Sequence, residues 1–288
     1  SFQKAARLCH VTQSTISRQI QALESEVGLL LFHRTDRAKL TIGGTQLLPH
    51  ATKICREWDH AVQELSDLVS GKQTELCVAA IHSVCAHYLP PVLQKFCQQH
   101  PEVQLRVTAL GSDRALKVLR DGLVDIAIVM NNPMLINTSD MAIEVLYNEA
   151  IEVLMAADHP LSQYVEVPWS ELGRYNHVVF KDGYGMQRLV QDIFSKQGAR
   201  LNAVLELNTL DAFRGVIRQG NLISILPHSA LLDAQNDPTL AVRPIEADAV
   251  TAPALQRQVI LVTTRDRLQV PTIYEFYRLV QEQMLVES

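Results

Sequence analysis

Thr12-Gln13-Ser14-Thr15-Ile16-Ser17-Arg18-Gln19-Ile20-Gln21-Ala22-Leu23-Glu24-Ser25-Glu26-Val27-Gly28 reads as one helix with two unlike faces. Ile16, Ile20, Leu23 and Val27 recur at helical spacing and make a single apolar stripe. Thr12 is a good N-cap, and Gly28 is placed to end the helix in a left-handed conformation. The opposite face carries Gln13, Ser14, Ser17, Arg18 and Gln21, with Thr15 beside them, and no acid precedes Glu24. A merely solvated face favours Glu and Lys, which are soluble and strong helix formers. Hydroxyls, amides and one guanidinium instead match the donor and acceptor pattern of base edges in a DNA major groove. The bland alternative is a polar helix surface with no partner.

Upstream, Phe2, Ala5, Ala6 and Cys9 repeat at helical spacing, and the small alanines admit a second helix at close range. Cys9-His10-Val11 separates the two. Downstream, Leu29-Leu30-Leu31-Phe32 is a short apolar run, Arg34-Thr35-Asp36-Arg37 a basic turn, and Lys39-Leu40 the way back. Together these segments predict a helix-turn-helix followed by a hairpin wing. Thr12, Gln13, Ser14, Thr15, Ser17 and Arg18 would face bases. Arg34, Arg37 and Lys39 would lie against phosphates or in a minor groove, setting register rather than reading sequence. The charge distribution agrees. The chain carries −5 overall, yet residues 1–41 hold six bases against three acids, leaving −8 on the remainder. A basic head on an acidic body suits a protein that meets a polyanion at one end.

Thr41 then caps a long helix expected over residues 42–70. Leu47, Ala51, Ile54, Trp58, Ala61, Leu65 and Leu68 alternate steps of four and three, a heptad seam. A small head offers nowhere to bury such a seam, so a partner helix is implied; packing on the protein's own body is the alternative. Pro49 removes one backbone hydrogen bond and should bend the first turns.

Composition bounds the rest. With 288 residues, 47% hydrophobic and 20% charged, the chain can bury a large core and is not a low-complexity polymer. No apolar run reaches the roughly 20 residues of a spanning helix. Cys9, Cys55, Cys77, Cys85 and Cys97 are odd in number, lack CxxC pairing and sit at apolar positions, which predicts reduced thiols in a cytoplasm. HExxH, GxSxG and clustered Cys/His ligands are missing, so neither an enzyme nor a metal site is expected.

From residue 74 the pattern alternates strands and helices. Strands are expected at 75–81, 103–110 and 125–129, with helices near 84–98 and 112–120. A second series places strands near 150–156, 177–180, 203–207, 223–226 and 258–263, with helices near 186–197, 209–219 and 268–285. Two such α/β units in tandem suggest hinged lobes with a ligand between the carboxyl ends of their strands. His82 and Ser83 follow the first strand and precede a helix, where free N–H groups favour a small anion. Ser83 could instead only cap that helix, and His82 could be a pH-sensitive ligand contact or a structural imidazole. Across the cleft stand Lys181, Asp182 and Tyr184, then Asn208 and Thr209; Met130 and Asn131 follow the third strand.

Phe2-x-x-Ala5-Ala6, Val11-Thr12-Gln13-Ser14-x-x-Ser17-Arg18-Gln19-Ile20-x-x-Leu23-Glu24, Leu31-Phe32-x-Arg34 and Leu40-Thr41-x-x-Gly44 resemble the signature of LysR-type transcriptional regulators. Tyr88-Leu89-Pro90, His100-Pro101-x-Val103, Asp125-Ile126-Ala127-Ile128, His159-Pro160-Leu161 and Gly220-x-x-x-x-x-Leu226-Pro227 extend the likeness to the body. The resemblance implies a multi-domain protein. A winged helix-turn-helix would occupy 1–41, with the family's first helix preceding this chain. A dimerising linker helix would take 42–73, and a two-lobed effector domain like that of periplasmic binding proteins 74–288. Lobe I would take about 74–154 plus 263–288, and lobe II about 155–262. Within the family, 75–129 and 180–185 resemble cyanobacterial activators of nitrate and nitrite assimilation genes, implying a nitrogen-status effector. The expected ligand is a small, anionic molecule, without a cofactor. Expected partners are double-stranded promoter DNA and a second copy of the chain, as homodimer or homotetramer. RNA polymerase is a further candidate, and no membrane is involved. Two alternatives stand: a regulator of another pathway sensing a small organic anion, and a solute-binding protein without a DNA function.

Overall fold

A computed structural model describes residues 1–33, 39–69, 75–132, 139–246 and 255–284. The chain divides into two units, Ser1–Leu68 and Val69–Ser288. The expected linker helix falls almost entirely within the first of these units.

The first unit begins with α1 (Phe2–Leu8) and α2 (Gln13–Val27). His10, at φ +53°, turns the chain between them. The Thr12 hydroxyl accepts from the Thr15 N–H at 3.2 Å, and Gly28 closes α2 at φ +73°. Ala6, Ile16 and Leu31 are buried, and Phe2 meets Phe32 edge to face at 5.2 Å. The Glu24 carboxylate accepts the N–H groups of Leu31 at 2.7 Å and Phe32 at 3.1 Å, which ties the next strand to α2. Phe32 bridges Leu40 in antiparallel fashion, and the His33 N–H donates to the Lys39 carbonyl at 2.8 Å. That is the root of the expected wing. Its tip, with Arg34 and Arg37, lies outside the described residues.

The long helix α3 (Ile42–Val69) follows, with Pro49 inside it. The Thr41 hydroxyl caps it by accepting from the Gly44 N–H at 3.1 Å. Gly44 is required here, because a Cβ would come within 2.1 Å of the Leu31 carbonyl. The helix start is thus seated on the wing's first strand.

In the second unit, β1 (Glu75–Ala80) pairs in parallel with β2 (Gln104–Ala109) and β3 (Ile126–Met130). A π-turn at Val84–Tyr88 leads into α4 (Leu89–Gln99), and α5 (Ser112–Arg120) follows β2. Pro90 and Pro91 lack N–H groups and so sit in the first turn of α4. The long strand β4 (Met141–Ala156) then crosses from one lobe to the other. In lobe II come α6 (Trp169–Leu172), β5 (Asn176–Phe180), α7 (Gly185–Lys196), β6 (Ala203–Leu207), α8 (Leu210–Ile217), β7 (Leu222–Pro227), α9 (His228–Gln235) and β8 (Leu240–Pro244). The chain returns to lobe I through β9 (Gln256–Thr264) and α10 (Pro271–Met284). The strand order is β2-β1-β3-β9-β4-β7-β5-β6, with β8 on β4. Each lobe buries its own core, around Phe96 and Phe276 in lobe I and around Phe194 and Phe213 in lobe II.

Several expectations need correction. All of β9 belongs to lobe I, antiparallel to β3 and to β4 as far as Ala150. Lobe II pairing starts at Ile151, so the lobe boundaries lie near residues 150 and 255 rather than 154 and 263. The first half of β4 was not expected, because Glu144, Asn148 and Glu149 interrupt its apolar pattern. The short α9 and β8 were not expected either. Cys9, Cys55 and Cys97 are exposed rather than core groups, and all five thiols are free.

Candidate functional site

The reading face of α2 is the first candidate. Ile16 is buried on one side, while Gln13, Ser14, Arg18 and Gln21 are exposed on the other and Thr15 and Ser17 are half-buried. Thr12 is largely committed. Besides its capping bond, its hydroxyl lies 2.8 Å from both the Ser14 and the Thr15 hydroxyls. The side chains left to seek outside partners are therefore Gln13, Ser17, Arg18 and Gln21. Lys39 is exposed at the wing's root.

The seam of α3 is the second. Leu47 and Ala51 are half-buried near the head, Ala61 is exposed, and Ile54, Trp58 and Leu65 are 68%, 70% and 63% exposed. Leu48 and Val62 add further exposed apolar surface. The side chain of Leu68 lies outside the described residues. Large apolar groups at this exposure along one helix mark a surface that lacks its cover.

The third candidate is the cleft between the lobes, and here the expected residues separate. His82, Ser83, Met130 and Tyr184 line a small inner cavity together with Ser112, Phe180 and Arg257. About 20 Å³ of it can hold solvent, room for roughly one water. His82, Tyr184, Lys181, Asp182 and Asn208 line an outer bay of about 720 Å³ with Arg114 and Lys117. Asn131 sits elsewhere, in a hollow beside Arg188, and its amide donates to the Gln258 side chain at 2.6 Å. Thr209 is exposed and precedes α8 without a capping bond.

Ser83 does not cap the following turn. Its hydroxyl, buried, accepts from Arg257 Nη2 at 2.6 Å. Arg257 also donates from Nε to Glu149 at 2.6 Å and from Nη2 to the Ser229 hydroxyl at 3.2 Å. Glu149 in turn accepts the Ser229 N–H at 2.7 Å, at the start of α9. Lobe I, the crossing strand and lobe II thus meet in one buried polar network. Arg257 was missed from sequence, although a lone cation entering the apolar run 259–262 is a usable signal. Ser112, whose hydroxyl accepts the Met130 N–H at 3.2 Å, was also missed.

The mouth of the cleft is closed. Asp113 on α5 holds Arg188 on α7 in a two-pronged ion pair. A Cβ on Gly111 would come within 2.9 Å of the Gly183 carbonyl, so only glycine admits this lobe contact. His82 faces the Tyr184 ring at 5.8 Å, and Tyr184 stacks on Phe180 at 5.2 Å. Burial lowers the His82 pKa and raises that of Tyr184, so at neutral pH the imidazole is neutral and the phenol keeps its proton. Among the described residues, no group of three His, Cys, Asp or Glu could hold a metal, and no helix is long and apolar enough to cross a membrane.

Comparison with known proteins agrees with this division. Residues 1–45 match the family described as "Bacterial regulatory helix-turn-helix protein, lysR family", and residues 70–285 match "LysR substrate binding domain". The chain belongs to the LysR family. It is 54% identical over 97% of its length to a "Probable nitrogen assimilation transcriptional activator" of Synechocystis sp., 91% of which is covered. A protein of the same description from Synechococcus elongatus is 48% identical over the whole chain and 91% of that protein. Among solved structures, HinK, a LysR family transcriptional regulator from Pseudomonas aeruginosa, is 17% identical with a TM-score of 0.72, covering all of this chain and 94% of that one. As in other LysR regulators, a DNA-binding head is joined here to an effector-binding body.

Proposed function

We propose that this LysR protein is a cytoplasmic, ligand-responsive transcriptional activator of nitrogen-assimilation genes. The reading rests above all on the polar face of α2, which carries no acid before Glu24, opposes a buried Ile16 and so offers base-reading groups on a helix. Identity of 54% to a protein described as a nitrogen assimilation activator supports the pathway.

Each residue group then has a role. Gln13, Ser17, Arg18 and Gln21 read bases, while Thr12, Ser14 and Thr15 order the helix start through their linked hydroxyls. Arg34, Arg37 and Lys39 hold phosphates, and Ile54, Trp58 and Leu65 pair α3 with a second copy. A small anionic effector in the interlobe cleft works by binding one lobe arrangement more tightly than another, which biases the assembled dimer or tetramer. RNA polymerase is the further partner an activator addresses. The domain limits follow the same logic: a head at 1–41, a linker segment at 42–73 that contains α3, and the effector body beyond it.

The test is binding of the full chain to promoter fragments of nitrate and nitrite assimilation genes, against scrambled duplex. Three phosphate-contacting cations per head, Arg34, Arg37 and Lys39, give six per dimer, so log K should fall with log salt at a slope of about −5. A slope near zero, or equal affinity for scrambled duplex, would reject the reading.

A further inference from the structure

The two compartments of the cleft differ in chemistry. Arg257 is the one formally charged group lining the inner cavity, and it is already paired with Glu149. Most of the remaining wall is apolar, including Ile81, Met130, Phe180, Met186 and Leu210. An anion entering there would leave water for a closed, electrically balanced, mostly apolar space.

The outer bay is the reverse. Arg114 and Lys117 stand three residues apart on α5 and so share one helix face. Lys181 approaches from the other lobe, held there by the close contact of Gly111 with 183–184. Among the described residues none of these three cations has an ion-pair partner. Of the two acids in the bay, Asp113 is committed to Arg188, leaving only Asp182. The bay therefore carries a surplus of two positive charges. At about 720 Å³ it lies within the roughly 300–1,000 Å³ typical of metabolite sites.

We infer that the outer bay, rather than the inner cavity, is the effector site. Its ligand is an anion of at least two negative charges, such as a dicarboxylate or a phosphorylated metabolite, held between Arg114 and Lys117 of one lobe and Lys181 of the other. This rests on the reading of residues 75–284 as an effector domain. A monoanion such as nitrate leaves one excess charge unmatched and fills little of the space, whereas a dianion neutralises the bay. Tyr184, another lining residue, carries a hydroxyl able to donate a hydrogen bond. Because its cations come from both lobes, the ligand is held fully only when the lobes are together, which supplies the differential affinity that a switch requires.

The experiment is calorimetric titration of the full chain at pH 8 and matched ionic strength with inorganic phosphate, succinate, nitrate and nitrite. The dianions should bind saturably, and K117Q/K181Q should weaken them at least tenfold. K53Q/K196Q, which removes the same charge from exposed positions elsewhere, should not. Melting of the unliganded variants, whose changed lysines are solvent-exposed, checks that they fold. Dianion binding that is indifferent to K117Q/K181Q overturns the inference. So does equal or exclusive binding of nitrate or nitrite, and so does the absence of binding by all four probes. Promoter binding measured on the same wild-type samples reports separately on the regulator reading: if DNA binding persists while the anion arms fail, only the bay assignment falls.

Discussion

Arg18 and Lys39 are both exposed cations of the head, but they should fail differently. Arg18 lies on the face of α2 that carries the amides proposed to read bases, so Arg18→Ala should relax sequence preference, costing about 1–3 kcal/mol at one operator position. Lys39 sits at the wing's root, so Lys39→Ala should weaken all duplexes evenly and reduce the salt slope by about one. Binding to a panel of single-base operator variants at several salt concentrations separates the two. His177 on β5 makes a different case. It is fully buried, lies 5.2 Å edge-on to Phe194, and burial lowers its pKa from 6.5 to about 4. The unfolded chain therefore takes up this proton before the folded one does. Stability from His177 is complete above pH 6.5 and is lost as pH falls from there toward 4, by an amount on the order of 3 kcal/mol. His177→Leu should flatten the melting temperature over that interval; an unchanged acid profile would mean that other groups govern it.

Elements reveal which sequence signals were sufficient. The caps of α2, Thr12 and Gly28, were legible because local backbone chemistry alone specifies them. The helix of α3 was legible too, since its seam repeats over many residues, and the structure leaves Ile54, Trp58 and Leu65 in solvent. Trp58→Glu places a charge in that seam without touching either core. It should convert the dimer to monomer in sedimentation at micromolar concentration and lower promoter affinity, while leaving the thermal transition of the effector body in place. The first half of β4, which pairs with β9, was not legible, because a strand can carry polar groups that tertiary partners satisfy. Glu149 is such a group: it reads as a solvent-facing acid and is in fact buried against Arg257 and the start of α9.

For the molecule as a whole, that network holds the lobes. The Arg257 and Glu149 side chains are only 4% and 5% exposed, so breaking the pair strands a buried charge. Arg257→Met should cost the full-length protein about 3–5 kcal/mol in denaturant unfolding. The double change E149M/R257M should recover part of it, since it removes the stranded carboxylate but leaves the Ser229 N–H without that acceptor. Equal loss in the single and double variants would mean the pair contributes through packing alone.

The amino-acid order by itself determined most of the elements, the polar face of α2, the heptad seam and the two-lobed α/β class. Helical period, capping chemistry and strand-helix alternation are local and survive without knowledge of neighbours. Only the tertiary structure decided which hydroxyls remain free, where the crossing strand β4 divides the lobes, and that Arg114 and Lys117 face Lys181 across the cleft. Those outcomes depend on residues distant in the chain competing for the same donor, acceptor or volume, and no spacing along the sequence encodes which of them prevails.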